Sequence, residues 1–536
     1  MVDRVIALSG QIYSGKTSLG RRLEVRYGMS TFKTKDALSK RLERGGVSGR
    51  RPLQAEGAAL DRSTGGKWVV QELNRWLREA ERGSCVIVDA VRTRGQVQGL
   101  REAYGSKVVH IHLTAPDEVL KARFKKRRQK SKDAEISYAQ AKADPTEAQV
   151  ETLKDIADAV IDTARCTEVD VLARAEGLIH AHPHKGLGYV DVVVGGQYGS
   201  EGKGQIVSFI AREYDLLVRV GGPNAGHKVF GDPPYTHHQL PSGTRYNTEA
   251  KLLIGPGAVL NVEKLIKEIA DCGVDSKRLV IDRKAMVIEQ CDIRAEEKLK
   301  RDIGSTGSGT GAATARRIMG RHTGTKLARD VSALKPYLGD AFRVLEDAYL
   351  NGQRVLLEGT QGTGLSIYHG DYPYVTSRDT TAGGCLAEAG IPPKWVRRVL
   401  MIVRTYPIRV QNPAGGTSGP LNDVGWAEVS RRSGIPVSEL RAHERTSTTN
   451  RRRRVGEFDW ALVHRSALLN GATDIALTFA DYIDRKNRDA VRFDQLTQES
   501  NRFIDEVGRV AGVPVTMVAV GFNHRSVIDR RAWEGA

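Results

Sequence analysis

In Val192-Val-Val-Gly-Gly-Gln-Tyr-Gly-Ser-Glu-Gly-Lys-Gly204 an apolar run passes directly into glycines, a lysine and a helical pattern. A strand that opens into such a loop binds phosphate. Its glycines allow backbone N–H groups to approach an anion closely, the next helix presents its positive N-terminus, and Lys203 adds a mobile charge. Gly199, Gly202, Lys203 and Gly204 are therefore expected around a nucleoside triphosphate.

A second loop of this kind stands at the start of the chain. Val5-Ile-Ala-Leu-Ser leads into Gly10-Gln-Ile-Tyr-Ser-Gly-Lys-Thr17, the G-x-x-x-x-G-K-T pattern between a strand and a helix. Gly10, Ser14 and Gly15 would cradle phosphate with their backbone, Lys16 would reach the β and γ oxygens, and the Thr17 hydroxyl would ligate Mg²⁺. Cys85-Val-Ile-Val-Asp89 is a buried-strand pattern ending in a carboxylate, and Asp89 is the candidate acid on the magnesium side. A basic helix with Arg123, Lys126, Arg127 and Arg128 could clamp phosphates from above. Strands alternating with helices imply a doubly wound parallel sheet. Residues 1–178 resemble the P-loop nucleoside-monophosphate kinases, a resemblance that leaves the phosphoryl acceptor open.

At 536 residues the chain has room for two or more domains, and the breaker-rich stretch 179–189 reads as a linker before a domain at 190–536. Its histidines, His180, His182 and His184, lack the neighbouring acids or cysteines of a metal site. No apolar run nears the roughly 20 residues of a membrane span, and no signal-peptide pattern opens the chain, so a cytoplasmic protein is expected. Five scattered cysteines suggest buried thiols rather than disulfides. A net charge of +18 calls for anionic partners, which phosphorylated small molecules satisfy as well as nucleic acid does.

The second domain continues with further glycine and hydroxyl turns. Val218-Arg-Val-Gly-Gly-Pro-Asn-Ala-Gly-His227 ends a strand in a turn presenting Asn224 and His227, and the histidine is a candidate proton-transfer group. Gly304-Ser-Thr-Gly-Ser-Gly-Thr-Gly311 offers N–H and O–H donors able to surround a phosphate. Val355-Leu-Leu-Glu-Gly-Thr-Gln-Gly-Thr363, Tyr372-Pro-Tyr-Val-Thr-Ser377 and Thr380-Thr-Ala-Gly-Gly384 follow. Thr448-Thr-Asn-Arg-Arg-Arg-Arg454 then supplies hydroxyls and guanidinium groups suited to a dicarboxylate.

In this order these segments resemble adenylosuccinate synthetases across residues 190–536. The resemblance implies an α/β domain with a large, mostly parallel central sheet and a homodimer. It also implies a ligase that joins L-aspartate to C6 of a purine nucleoside monophosphate with GTP or ATP and Mg²⁺. The triphosphate phosphorylates O6, and the amine of aspartate displaces the phosphate. Carried over by position, Lys203 would hold the transferring group, His227 would be the general acid, and Gly226 would contact Mg²⁺ through its carbonyl. Asn224, Ser305, Thr306, Gln361 and Thr376 would seat the purine nucleotide, and Arg321 would reach the 5′-phosphate in a neighbouring subunit. Thr448, Thr449, Arg451 and Arg453 would bind aspartate and ribose, while Asp481 and Gly521 would meet the base of the triphosphate.

Ser200 stands where the family carries an aspartate that serves as base and magnesium ligand. A hydroxyl does neither unaided, so the chain is a dead enzyme, uses a different base, or takes a different purine. The last fits the resemblance to a phage branch, the PurZ type, that accepts dGMP. A neutral hydroxyl leaves room for an exocyclic 2-amino group and can accept its hydrogen bond. Proton removal at N1 would then fall to Glu201 or a phosphate oxygen. The family's Lys-x-Asp reads Phe479-Ala-Asp481 here, keeping a carboxylate for guanine and thereby favouring GTP. The alternatives are an ordinary synthetase acting on IMP, and a nucleotide sensor or nucleic-acid-binding protein without catalysis.

Overall fold

The computed structural model describes residues 2–43, 50–79, 85–128, 137–143, 149–179, 189–322, 324–412, 414–445, 451–523 and 525–531. The chain divides into two compact units, Met1–Lys185 and Gly186–Ala536. The linker histidines lie outside the described residues.

The first unit holds a five-stranded parallel sheet, in the order Ser30–Lys33, Cys85–Asp89, Arg4–Gly10, Val108–Thr114, Ala159–Asp162. Its centre is Arg4–Gly10, where Val5 and Ala7 join the core on one face while Ile6 and Leu8 join the other. Apolar residues at every position are what a strand covered on both faces requires.

The second unit is built on a ten-stranded sheet. Its order is Leu338–Gly339, Leu279–Asp282, Lys251–Ile254, Leu216–Arg219, Val355–Gly362, Val190–Gly195, Val396–Arg404, Asp474–Thr478, Val515–Ala519, Val527–Asp529. Every neighbouring pair is parallel except the last. Val190, Val192 and Val194 pack into one core and Val193 into the other, so the run that opens the phosphate loop lies at the middle of the sheet. The turns after Val190–Gly195, Leu216–Arg219, Val355–Gly362, Val396–Arg404 and Asp474–Thr478 therefore gather at the carboxyl edge, where open parallel sheets bind ligands.

Among the described residues no helix is long and apolar enough to cross a membrane. All five cysteines are free, but only Cys385 is buried and Cys291 is exposed. The expectation of buried thiols is thus corrected for Cys291, while Cys85, Cys166 and Cys272 are partly buried against the cores of their units.

Candidate active site

Gly202 caps the helix Lys203–Ile210 at φ 89°, in the left-handed region where only glycine is unstrained. Two positions on, a Cβ at Gly204 would lie 3.1 Å from the Cβ of His227, so the helix start and the histidine strand approach each other only because that residue is glycine. The loop does not leave Lys203 mobile. Its Nζ is buried, 2.7 Å from Glu201 Oε2 and 3.3 Å from the Gly199 carbonyl.

Glu201 is correspondingly occupied. Its Oε1 accepts from the amides of Gln197 (3.1 Å) and Gly199 (2.7 Å), and the side chain is fully buried. Burial alone would raise its pKa, but the Lys203 charge and these hydrogen bonds outweigh it and hold the carboxyl below its ordinary value. A carboxylate turned beneath its own loop shapes the loop. This placement corrects the reading of Glu201 as a base beside the purine.

Two cavities open above the sheet edge. One, of about 210 Å³, is lined by Asn224, Ser305, Thr306, Gln361, Thr376 and Arg451, among others. The second, of about 360 Å³, is lined by Gly202, Lys203 and Gly204 together with Lys228, Arg445 and a group of rings. Gly199, Ser200, Gly226, His227 and Arg453 line both. The boundary between them is therefore where a group could pass from a ligand in one to a ligand in the other. Ser200 stands on it with its carbonyl accepting from Arg404 at 3.0 Å and no described hydrogen bond to its hydroxyl. Asn224 donates to Thr376 Oγ1 at 3.4 Å, and its buried Oδ1 has no partner among the described residues.

His227 is gripped by groups the sequence did not single out. Its Nδ1 lies 2.5 Å from Glu358 Oε1, and its Nε2 lies 2.9 Å from the Thr360 carbonyl. Glu358 also accepts from Arg219 (2.6 Å), the Ser242 amide (2.7 Å) and the Ser242 hydroxyl (2.5 Å). Burial opposes ionisation of Glu358, yet Arg219 and His227 hold its carboxyl well below the usual range. Burial, then the Arg219 charge, lower His227 to about 4 against the pull of Glu358. Arg219 Nη1 also lies 2.8 Å from Nδ1, where it can only donate, whereas Glu358 and the Thr360 carbonyl can only accept, so the one proton of the neutral ring has an acceptor on either nitrogen and Nε2 is the one turned away from the carboxylate.

Arg453 is oriented by Glu444, which also takes Arg404, each at 2.7 Å. Burial of Glu444 is overcome by these two cations, and its carboxyl falls to about 2. Arg451 donates to the Gly304 and Ser305 carbonyls, tying the arginine strand to the hydroxyl loop. The far end of that loop is closed to phosphate, because Glu296 accepts from the amides of Gly309, Gly311 and Ala312 at 2.6–3.1 Å. Only the Ser305 and Thr306 end faces the cavity.

Asp481 and Gly521 line neither cavity. Asp481 Oδ1 accepts from the Gly521 amide at 2.9 Å, and Oδ2 lies 3.8 Å from Arg488. The rings of Phe230, His443, Phe479 and Phe522 form the wall of the larger cavity instead. Arg321 is exposed and touches neither cavity of its own chain, while Thr448 and Thr449 lie outside the described residues.

In the first unit Gly15 begins the helix Lys16–Tyr27, placing Thr17 in its first turn. Lys16 Nζ lies 2.6 Å from the Gly10 carbonyl and 2.8 Å from that of Gln11, and Ser14 is buried in the loop. Asp89 pairs in register with Leu8 and Lys33, and burial raises its pKa against Lys16, Lys33 and Arg92. Arg123 is tied to the hydroxyl and carbonyl of Thr163, both at 2.9 Å, which corrects its reading as a phosphate clamp. The side chains of Arg127 and Arg128 lie outside the described residues.

A doubly wound unit with a P-loop, and a large parallel sheet whose two cavities share a glycine-rich loop, define a nucleotide-binding α/β protein. A family model for adenylosuccinate synthetase matches residues 192–329 and 321–491, and one for an AAA domain matches residues 6–143. The chain belongs to the adenylosuccinate synthetase family. It is 39% identical over 350 residues to adenylosuccinate synthetase of Methanocaldococcus jannaschii, covering 63% of this chain and 96% of that one. Among solved structures it resembles the succinoaminodeoxyadenylate synthetase PurZ of cyanophage S-2L, bound to dGMP and to dATP as an energy donor. That likeness has 28% identity and a TM-score of 0.54, over 65% of this chain and 98% of the other. The adenylosuccinate synthetase of Plasmodium falciparum has the same fold, with 23% identity, a TM-score of 0.56 and coverage of 64% and 100%.

Proposed function

We propose that residues 190–536 ligate L-aspartate to C6 of a 2-aminopurine nucleoside monophosphate, dGMP, in the smaller cavity, with a triphosphate in the larger. The observation that carries the reading is the Ser200 hydroxyl on the wall common to both. It is small, uncharged and able to accept the hydrogen bond of a 2-amino group, which inosine lacks. The cyanophage enzyme bound to dGMP supports it.

In this reading the triphosphate's terminal P–O bond breaks as a bond to O6 forms. The amine of aspartate then forms the C6–N bond as C6–O breaks and phosphate leaves. Lys203 and the loop amides hold the moving phosphoryl group, and Gln361 and Asn224 orient the purine. His227, braced by Glu358, meets the charge that grows on O6. With Glu201 turned under its loop, a phosphate oxygen is the remaining acceptor for the N1 proton. The Gly226 carbonyl and Ser200 hydroxyl offer neutral oxygens at the boundary, a donor set that fits Mg²⁺ when phosphate oxygens complete the shell, and the ion would neutralise phosphate charge there. Thr17 would hold Mg²⁺ in the first unit.

For the donor, Asp481 is engaged by Gly521 and Arg488, and the wall is aromatic. Stacking without a guanine-reading carboxylate favours ATP or dATP over GTP, and the dATP of the cyanophage enzyme supports this. The first unit is read as a nucleotide kinase on Lys16 and Asp89. The whole works as a cytoplasmic homodimer in which Arg321 serves the neighbouring subunit.

Purified protein given aspartate, ATP and either dGMP, GMP or IMP should turn over dGMP preferentially, and preference for IMP would overturn the proposal. That outcome would establish the second reading, an ordinary adenylosuccinate synthetase. The 39% identity to the archaeal enzyme, against 28% to the phage one, favours that reading. Tight dGMP binding without phosphate release would instead mark a sensor.

A further inference from the structure

A third cavity, of about 690 Å³, opens beside the donor cavity. It lies between the end of the helix Lys203–Ile210, the turn after His227–Val229, and Asn523 and Arg525. It is larger than the other two, of about 210 and 360 Å³, and none of the roles above uses it. Arg212, Arg245 and Arg525 line it against one carboxylate, Asp232. Among the described residues none of the three arginines reaches a carboxylate at ion-pairing distance. Arg212 donates to the Tyr246 carbonyl at 3.2 Å, and Arg245 donates to the Asp271 carbonyl at 2.7 Å while lying 3.8 Å over the Tyr235 ring. Arg531 and Arg397, by contrast, are matched to Glu213 and Asp191.

Three arginines bordering one concavity with a single carboxylate draw an anion to it, and Arg is the side chain best shaped for phosphate. Phe209, Phe230 and Tyr246 complete the wall with aromatic side chains, which suit a base. The volume is in the range of small-molecule sites. Phe230 is also a wall of the donor cavity, packed at 4.8 Å against Phe522, and its backbone bridges to Asn523. A ligand seated here presses on the same ring that borders the donor.

We propose that this cavity is a second, non-catalytic site for a purine nucleoside triphosphate. Its phosphates lie on Arg212, Arg245 and Arg525 and its base against Phe209 and Tyr246, and its occupancy is sensed by the donor cavity through Phe230. The sensing step rests on the donor assignment above, whereas the binding itself does not.

Calorimetric titration of the full chain with ATP counts the sites. Arg212 and Arg525 are exposed, so R212A/R525A should fold normally. It should bind one ATP fewer per chain, or bind it at least about 30-fold more weakly, as expected for two lost charged contacts. Its synthetase turnover at saturating donor should stay within about twofold of wild type while its KM for ATP shifts, and an unshifted KM overturns the coupling through Phe230. Photolabelling of the wild type with 8-azido-ATP should mark the segments of Phe209 or Tyr246. An unchanged ATP count, or label confined to the P-loop and the Phe479–Phe522 wall, overturns the proposal. Tripolyphosphate that fills the third site as tightly as ATP also overturns it, since the base would then contribute nothing.

Discussion

Glu358→Gln isolates the contribution of the carboxylate behind His227. The substitution keeps size and removes charge. It leaves the Arg219 guanidinium, 2% exposed, without its 2.6 Å counter-ion. It also places an N–H₂ among four donors, from Arg219, the Ser242 amide, the Ser242 hydroxyl and His227 Nδ1. Removing one partner of a buried ion pair costs about 3–5 kcal/mol. For a unit spanning 186–536, unfolding entropy near 60 °C is roughly 0.7 kcal/mol/K, so the melting temperature should fall by about 4–7 °C. Loss of a positioned proton-transfer group should reduce turnover by about 10²–10⁴ at temperatures where the variant remains folded. Differential scanning calorimetry and quantification of the succinylated nucleotide read the two effects separately. A variant melting within 1 °C of wild type and turning over within threefold of it would refute the claim that Glu358 braces the histidine.

Ser200→Asp should raise use of IMP relative to dGMP in competition assays, because a carboxylate supplies the base for N1 that the hydroxyl lacks and its larger side chain takes up the room left for the 2-amino group. Phe479→Lys should shift the donor ratio toward GTP in coupled phosphate-release assays run with ATP and GTP in parallel. In the first unit His110 and His112, bonded to Ser9 at 2.7 and 2.9 Å, are both lowered by burial to about 4. A histidine whose folded pKa lies below its unfolded value of about 6.5 lowers stability as pH falls from 6.5 toward 4. The loss is at most about 1.4 kcal/mol per pH unit for each ring. Urea midpoints of this unit should therefore drop between pH 7 and pH 5, and His112→Gln should flatten the slope. Glu444 behaves in a lower window. Its contribution is complete above about pH 4.5 and fades toward pH 2, so synthetase-unit melting below pH 4 should be less steep in Glu444→Gln.

The central strands of both sheets were legible because the runs Val5–Leu8 and Val192–Val194 are apolar at every position, as a doubly covered strand requires; edge strands such as Ser30–Lys33 and Leu338–Gly339 carry no such signal. The phosphate loops were legible through their glycines. What escaped was pairing across distance. Glu358 meets His227 across 131 residues, and no local pattern marks a strand-end carboxylate as a brace. Glu201 and Asp481 were placed beside ligands on the strength of their position in a motif. Backbone amides claim such carboxylates once the chain turns, and sequence spacing does not show where an amide will point. Glu296 closing the Gly309–Ala312 amides is the same effect at a helix start.

Because one serine borders both cavities, any change at position 200 alters the surroundings of two ligands at once. Under the proposed function, acceptor and energy source are therefore not independent traits of this chain. A variant selected for a new base should be profiled against a panel of triphosphates before its preference is attributed to the acceptor alone.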